Sequence, residues 1–140
     1  MVPGNRTAVF VERDAVVGRA LRRWAAAEGF DLVGVARQAP EGVALATRLR
    51  PRLVMVDLSV PGMEAAEVTL DGLRAASPGL HLVAFSGPEY RIPALDLPVD
   101  DFVARPYGLG RMPEEHVVEA LTSRLRYVGE RVPRADAATG

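Results

Sequence analysis

Five short apolar runs, separated by stretches with helical periodicity, leave this chain very few folds. The runs are Thr7-Ala-Val-Phe-Val11, Leu32-Val-Gly-Val-Ala36, Leu53-Val-Met-Val56, Leu80-His-Leu-Val-Ala-Phe85 and Asp101-Phe-Val-Ala104. They are near-continuous rather than alternating, which is the pattern of strands buried on both faces. From Asp14 to Gly29, Val17, Ala20, Leu21 and Trp24 share one helical face, with Asp14 placed to cap the start and Gly29 to end it. Glu41 to Arg50 repeats the pattern with Val43, Ala46 and Leu49, and Pro51 forbids its continuation. Glu64 to Ala76 carries Val68, Leu70 and Leu73 and stops at Ser77-Pro78-Gly79. Glu114 to Val128 turns Val117, Val118, Leu121 and Leu125 inward. Strands alternating with helices at this spacing require right-handed crossovers, and so an α/β fold with a parallel sheet covered on both faces.

One stretch breaks the rhythm. A helix is due between the fourth and fifth strands, yet Pro88, Pro93 and Pro98 recur there. Interior proline costs ~3 kcal/mol in a helix, so the expectation is a helix shortened or replaced by turns, one of them starting at Pro93. Residues 7–128 then form one domain, with flexible tails at 1–6 and 131–140.

Composition narrows the function. With 49% hydrophobic and 25% charged residues, the 140-residue chain has the balance of a folded, soluble domain. It contains no cysteine, which removes disulfides, thiolate nucleophiles and cysteine-based metal sites. The two histidines, His81 and His116, lie far apart and carry no partner motif, so both read as structural. The 17 basic residues are all arginine and are balanced by 18 acids, leaving a net charge of −1 and no basic face for nucleic acid. A signal peptide and an apolar run of membrane-spanning length are both missing from the sequence, which points to the cytoplasm.

Ligand sites in open parallel sheets lie beyond the carboxyl ends of the strands. Those ends here are Glu12-Arg13-Asp14, Asp57, Ser86 and Arg105-Pro106. One acid per adjacent strand, a hydroxyl and a cation thus converge on one crevice. No glycine-rich phosphate loop follows the first strand, and no nucleophile-elbow sequence surrounds Ser59 or Ser86. A nucleotide enzyme and a serine hydrolase are therefore poorly supported, and the chain reads as a non-enzyme.

The constellation resembles the receiver domain of bacterial two-component response regulators, from Thr7 to Val128. The most specific match is Arg50-Pro-Arg-Leu-Val-Met-Val-Asp57-Leu-Ser-Val-Pro61-Gly62-Met63, which is similar to the phosphoacceptor strand and following loop. Val11-Glu12-Arg13 aligns with the acidic pair, Ser86 with the hydroxyl residue, and Asp100-Asp-Phe102-Val-Ala-Arg105-Pro106-Tyr107 with the lysine–proline segment. The resemblance implies a flavodoxin-like, doubly wound sheet of order 2-1-3-4-5. It implies that Asp57 is the phosphoacceptor for a histidine kinase, and that magnesium, if bound, uses Glu12, Asp57 and the Ser59 carbonyl. Ser86 and Arg105 take the phosphoryl-contact positions and Phe102 that of the switch aromatic. A cis bond at Arg105–Pro106 is implied too.

The departures matter more. Arg13 stands where a carboxylate ligand is due, and Arg105 replaces the lysine. Glu12 and Asp57 supply −2 and Arg13 and Arg105 supply +2, so the crevice balances without a metal. A guanidinium held ~5 Å from a divalent ion would repel it by roughly 7 kcal/mol at an effective dielectric near 20. Millimolar affinity amounts to only ~4 kcal/mol. The expectation is that Arg13 pairs with Asp57, and that magnesium binding is lost or weak. Two readings follow. One is an atypical receiver acting through protein contacts, with magnesium-dependent phosphorylation weak or absent. The alternative is a working phosphoacceptor modified on Asp57 by a histidine kinase. Partners are then a kinase or an output protein, with no membrane and no direct nucleic-acid contact. Leu95, Leu97, Tyr107, Met112 and Val118 are open to two roles, lining an altered contact surface or homodimer interface, or packing in the core. A further output domain after Val132 stays open.

Overall fold

The computed structural model describes residues 6–87, 97–106 and 108–132. Five strands, β1 (Thr7–Val11), β2 (Asp31–Ala36), β3 (Leu53–Asp57), β4 (His81–Ser86) and β5 (Asp101–Ala104), form one sheet in the order β2-β1-β3-β4-β5. All pairs are parallel. Helices α1 (Ala15–Ala27), α2 (Ala39–Leu49), α3 (Ala66–Ala76) and α4 (Glu114–Arg131) supply the crossovers and flanks, and a 3₁₀ turn at Leu109–Arg111 precedes α4.

Alternation along each central strand explains why both faces need covering. Phe10, Met55, Val83 and Phe85 join Trp24, Leu121 and Leu125 in the core under α1 and α4. The intervening Val9, Val54, Val56, Leu82 and Ala84 join Leu70 and Leu73 under α2 and α3. Successive strand residues point to opposite faces, so a continuous apolar run feeds two cores at once. β2 is an edge strand and only half-buried, with Val33 36% exposed. At the opposite side Phe102, Leu97 and Val99 pack against the second core, while Met112 and Val118 pack against the first. Of the five residues with two open roles, these three, Leu97, Met112 and Val118, therefore have core contacts. Leu95 and Tyr107 lie outside the described residues, as do Pro88, Pro93 and the expected turns around them.

Local signals act where the sequence places them. The Asp14 carboxylate accepts from the Val16 and Val17 amides at 2.9 and 3.0 Å and caps α1, and Gly29 follows the helix at φ +82°. Helix α2 begins earlier than its apolar period suggests, at Ala39, because Pro40 fits the first turn. It ends at Arg50 in a left-handed conformation, φ 45°. Val68, grouped by sequence with the apolar face of α3, is 71% exposed. At 100° per residue it sits about 200° from Leu70, and the inward face is set by Leu70 and Leu73. Helix α4 runs three residues past Val128, to Arg131. Arg6, placed by the sequence in a flexible tail, is 5% exposed, and its guanidinium donates to the carbonyls of Glu28 and Gly129.

Candidate functional site

The carboxyl ends of β1, β3, β4 and β5 bring Glu12, Asp57, Ser86 and Arg105 together. Register does this directly. Asp57 pairs with Phe85 and Ser86 with Ala104, and the Arg105 amide donates to the Ser86 carbonyl at 2.7 Å. The loop after β3 folds back through Gly62 at φ +91°, where a Cβ would approach Pro40 Cδ to 2.8 Å. Pro61 then accepts from the Ala39 amide at 2.8 Å, anchoring this loop to the start of α2.

Asp57 is 2% exposed and its two oxygens are both engaged. Oδ1 accepts from the Ser59 amide at 2.8 Å and from Ser59 Oγ at 2.7 Å. Oδ2 accepts from Arg105 Nη1. The same Nη1 lies 3.5 Å from Glu12 Oε1, while Glu12 Oε2 accepts from the Asp14 amide at 3.0 Å. The guanidinium is shielded on another side by the Phe85 ring, whose centroid is 5.4 Å away.

Two buried acids thus face one cation. Burial pushes the Glu12 carboxyl up to about 8, and the nearby Asp57 charge adds to the rise. The Asp14 amide and Arg105 pull the other way without cancelling it. Burial thus favours the protonated form of Glu12 over the ionised one relative to a free carboxyl.

The structure corrects the arginine pairing expected from sequence. Arg13 is exposed and makes no ion pair with Asp57. Its carbonyl accepts from Arg37 Nη2 at 3.1 Å, and the residue borders a cavity of about 250 Å³ with Ser59, Val60, Pro61, Met63 and Glu64. The physical reason is direction: Arg13 lies exposed at the rim beyond β1, whereas Arg105, its backbone bonded to Ser86 beside β4, points inward to Asp57. The expected cis bond at Arg105–Pro106 is also overturned, since no peptide bond among the described residues is cis.

Ser86 Oγ is buried and has no hydrogen-bond partner among the described residues. Phe102 is half-buried against the second core, and Trp24 is core at 2% exposure. His116 is exposed, on the surface of α4. His81 is different. Its Nε2 lies 2.6 Å from Asp101 Oδ2, a partner the sequence reading missed. The two residues are twenty positions apart, and only the β4–β5 pairing brings them together. Among the described residues no group of three or more His, Cys, Asp or Glu side chains is placed to hold a metal, and no helix is long and apolar enough to cross a membrane.

No protein-family model matches the chain. Over 126 residues it is 31% identical to the probable transcriptional regulatory protein TcrX of Mycobacterium tuberculosis, covering 88% of this chain and 51% of that protein. The chain thus spans about half the length of that relative. Among solved structures it is similar to the response regulator domain of Thermotoga maritima CheB, with a TM-score of 0.66 and 20% identity over 91% of this chain and 98% of that one. It is also similar to the Mn²⁺-bound form of response regulator Rcp1, with a TM-score of 0.68 and 15% identity over 92% and 98% of the two chains. The chain has the fold of a response-regulator receiver domain.

Proposed function

We propose that this chain is a signal-transduction receiver of an atypical kind, working through protein contacts with magnesium-dependent phosphorylation weak or absent. The observation that carries this reading is the buried Arg105–Asp57 ion pair, with Glu12 beside it. An ordinary receiver pocket needs Asp57 to offer an oxygen to a phosphoryl group and another to a divalent cation. Here Oδ1 is held by Ser59 and Oδ2 by Arg105.

The donor set does not suit magnesium. That ion demands near-octahedral oxygen ligation, while Arg13 replaces one carboxylate and Arg105 already occupies an oxygen of Asp57. Freeing Asp57 Oδ2 for an ion would require separating Arg105 from it. The candidate ligands Glu12, Asp57 and the Ser59 carbonyl would then share a crevice with a guanidinium. No step of the proposed function runs through a metal.

One observation favours the second reading, a phosphoacceptor on Asp57. Among the described residues the Ser86 hydroxyl, at the end of β4 beside the pocket, has no partner, and a buried hydroxyl without one is costly unless something uses it. Arg105 could then stabilise phosphoryl oxygens in the manner of other arginine clamps. Acetyl phosphate with magnesium, followed by intact-mass measurement, separates the two. The atypical receiver shows no stable phosphoryl adduct. An adduct that forms readily and disappears in Asp57→Asn would establish the phosphoacceptor instead. A kinase or output protein as partner, and a homodimer, both belong to this proposal; sedimentation showing a monomer at all concentrations would remove the dimer.

A further inference from the structure

The ends of β4 and β5 opposite the Asp57 pocket carry a second charged cluster. Asp101 opens β5 and is 8% exposed, and its two oxygens are divided between two elements. Oδ2 meets His81 Nε2 of β4 at 2.6 Å, and Oδ1 meets Arg131 Nη1 at 3.0 Å. Arg131 is the last residue of α4. We propose that the His81–Asp101–Arg131 chain is a latch that holds the end of α4 to the sheet and so sets the point from which the following residues depart.

Three features support a latch rather than an incidental surface pair. First, the C-cap residue of α4, Val132, is extended at φ −89° and ψ 114° and is buried, so the chain turns out of the helix there against the core. The last carbonyls of a helix have no partners within it, so contacts from side chains help keep such an end from fraying. Second, the other side of this last turn is also held. Arg6 Nη2 donates to the Gly129 carbonyl at 2.6 Å, and the Glu28 side chain packs where a Gly129 Cβ would stand. Third, Asp101 is shared, so the bond that pins β4 to β5 also fixes the acceptor for Arg131.

The neighbouring charges have separate tasks. Asp100 accepts from the Leu82 amide at 2.8 Å and pairs with Arg74 of α3 at 2.9 Å. Tyr127, one turn before Arg131, is raised above the ordinary phenol range by burial and by the Asp101 charge. The latch lies a strand length from Ser86 and Arg105, roughly 13–17 Å at 3.3 Å per residue, and does not depend on what Asp57 does.

Hydrogen exchange of the whole chain, read by mass spectrometry, tests the latch. Arg131→Gln and Asp101→Asn are expected to speed exchange in peptides covering residues 126–132 by roughly three- to tenfold, leaving the β1 and β3 peptides unchanged. Arg131→Lys is expected to restore most of the protection, and Asp100→Asn to leave the α4 end as it is. Unchanged exchange at 126–132 in Arg131→Gln overturns the proposal. So does an Asp101→Asn protein that loosens throughout the sheet with no excess at the α4 end. If Asp101→Asn does not fold, Arg131→Gln alone decides.

Discussion

Replacing Glu12 by glutamine should change how stability depends on pH more than any other single substitution in the pocket. Glutamine has nearly the shape of the protonated acid but cannot ionise. Glu12 is 3% exposed and its carboxyl is raised from 4.5 to about 8, chiefly by burial and then by Asp57. A carboxyl raised on folding binds its proton more tightly in the folded state. Its contribution to stability is full below the unfolded value and is lost as pH climbs through the folded one. The window is therefore pH 4.5 to about 8. With one pKa unit equal to ~1.4 kcal/mol, the loss attributable to Glu12 between about pH 6 and about pH 8 is roughly 2 kcal/mol. Urea denaturation of wild type and Glu12→Gln at several pH values across that window measures it. The difference between the two proteins removes contributions from His81, His116 and other groups common to both. Glu12→Gln should gain on wild type steadily as pH rises. Parallel curves, or a wild type that gains on the variant, would refute the argument that burial raises the Glu12 carboxyl.

The two pocket arginines should behave oppositely. Arg105→Ala strips the buried Asp57 of its cation and should cost about 3 kcal/mol, whereas Arg13→Ala, at an exposed rim, should stay within about 0.5 kcal/mol of wild type; chemical denaturation reads both, and equal effects would count against the assignment. Asp14→Ala removes the cap acceptor for two amides of α1 and should lower stability by about 1 kcal/mol, visible as a reduced urea midpoint with an unchanged slope. Millimolar magnesium should leave the amide resonances of Glu12, Asp57 and Ser59 in place in an NMR titration; saturable shifts at all three would show that the ion does enter.

The strands were legible because they had no alternative. Runs such as Leu53-Val-Met-Val56 carry no polar residue to expose, so a two-sided sheet was the only burial on offer. The Asp14 cap and the stops near Gly29 and Pro51 were legible for similar reasons, being contacts between residues a few positions apart. Val68 was misjudged because one apolar residue in a helix does not say which face is inward; the partners of Leu70 and Leu73 decide that. The convergence of Glu12, Asp57, Ser86 and Arg105 followed from strand ends alone.

Which arginine met Asp57 did not follow. Arg13 and Arg105 have the same charge, the same length and similar places beyond strand ends, and local sequence gives no reason to prefer either. Only the packed sheet, with β5 beside β4 and Ser86 bonded to Arg105 through the backbone, aims one guanidinium inward and leaves the other at the rim. Burial then raises the Glu12 carboxyl, since desolvation depends on every neighbour at once. The chain alone determined the alternation of elements and the residue types at the crevice, because those rest on short-range periodicity and hydrophobic burial. The tertiary structure decided the pairings Arg105–Asp57 and His81–Asp101, because electrostatic partners are chosen by distance in space and by exclusion of water.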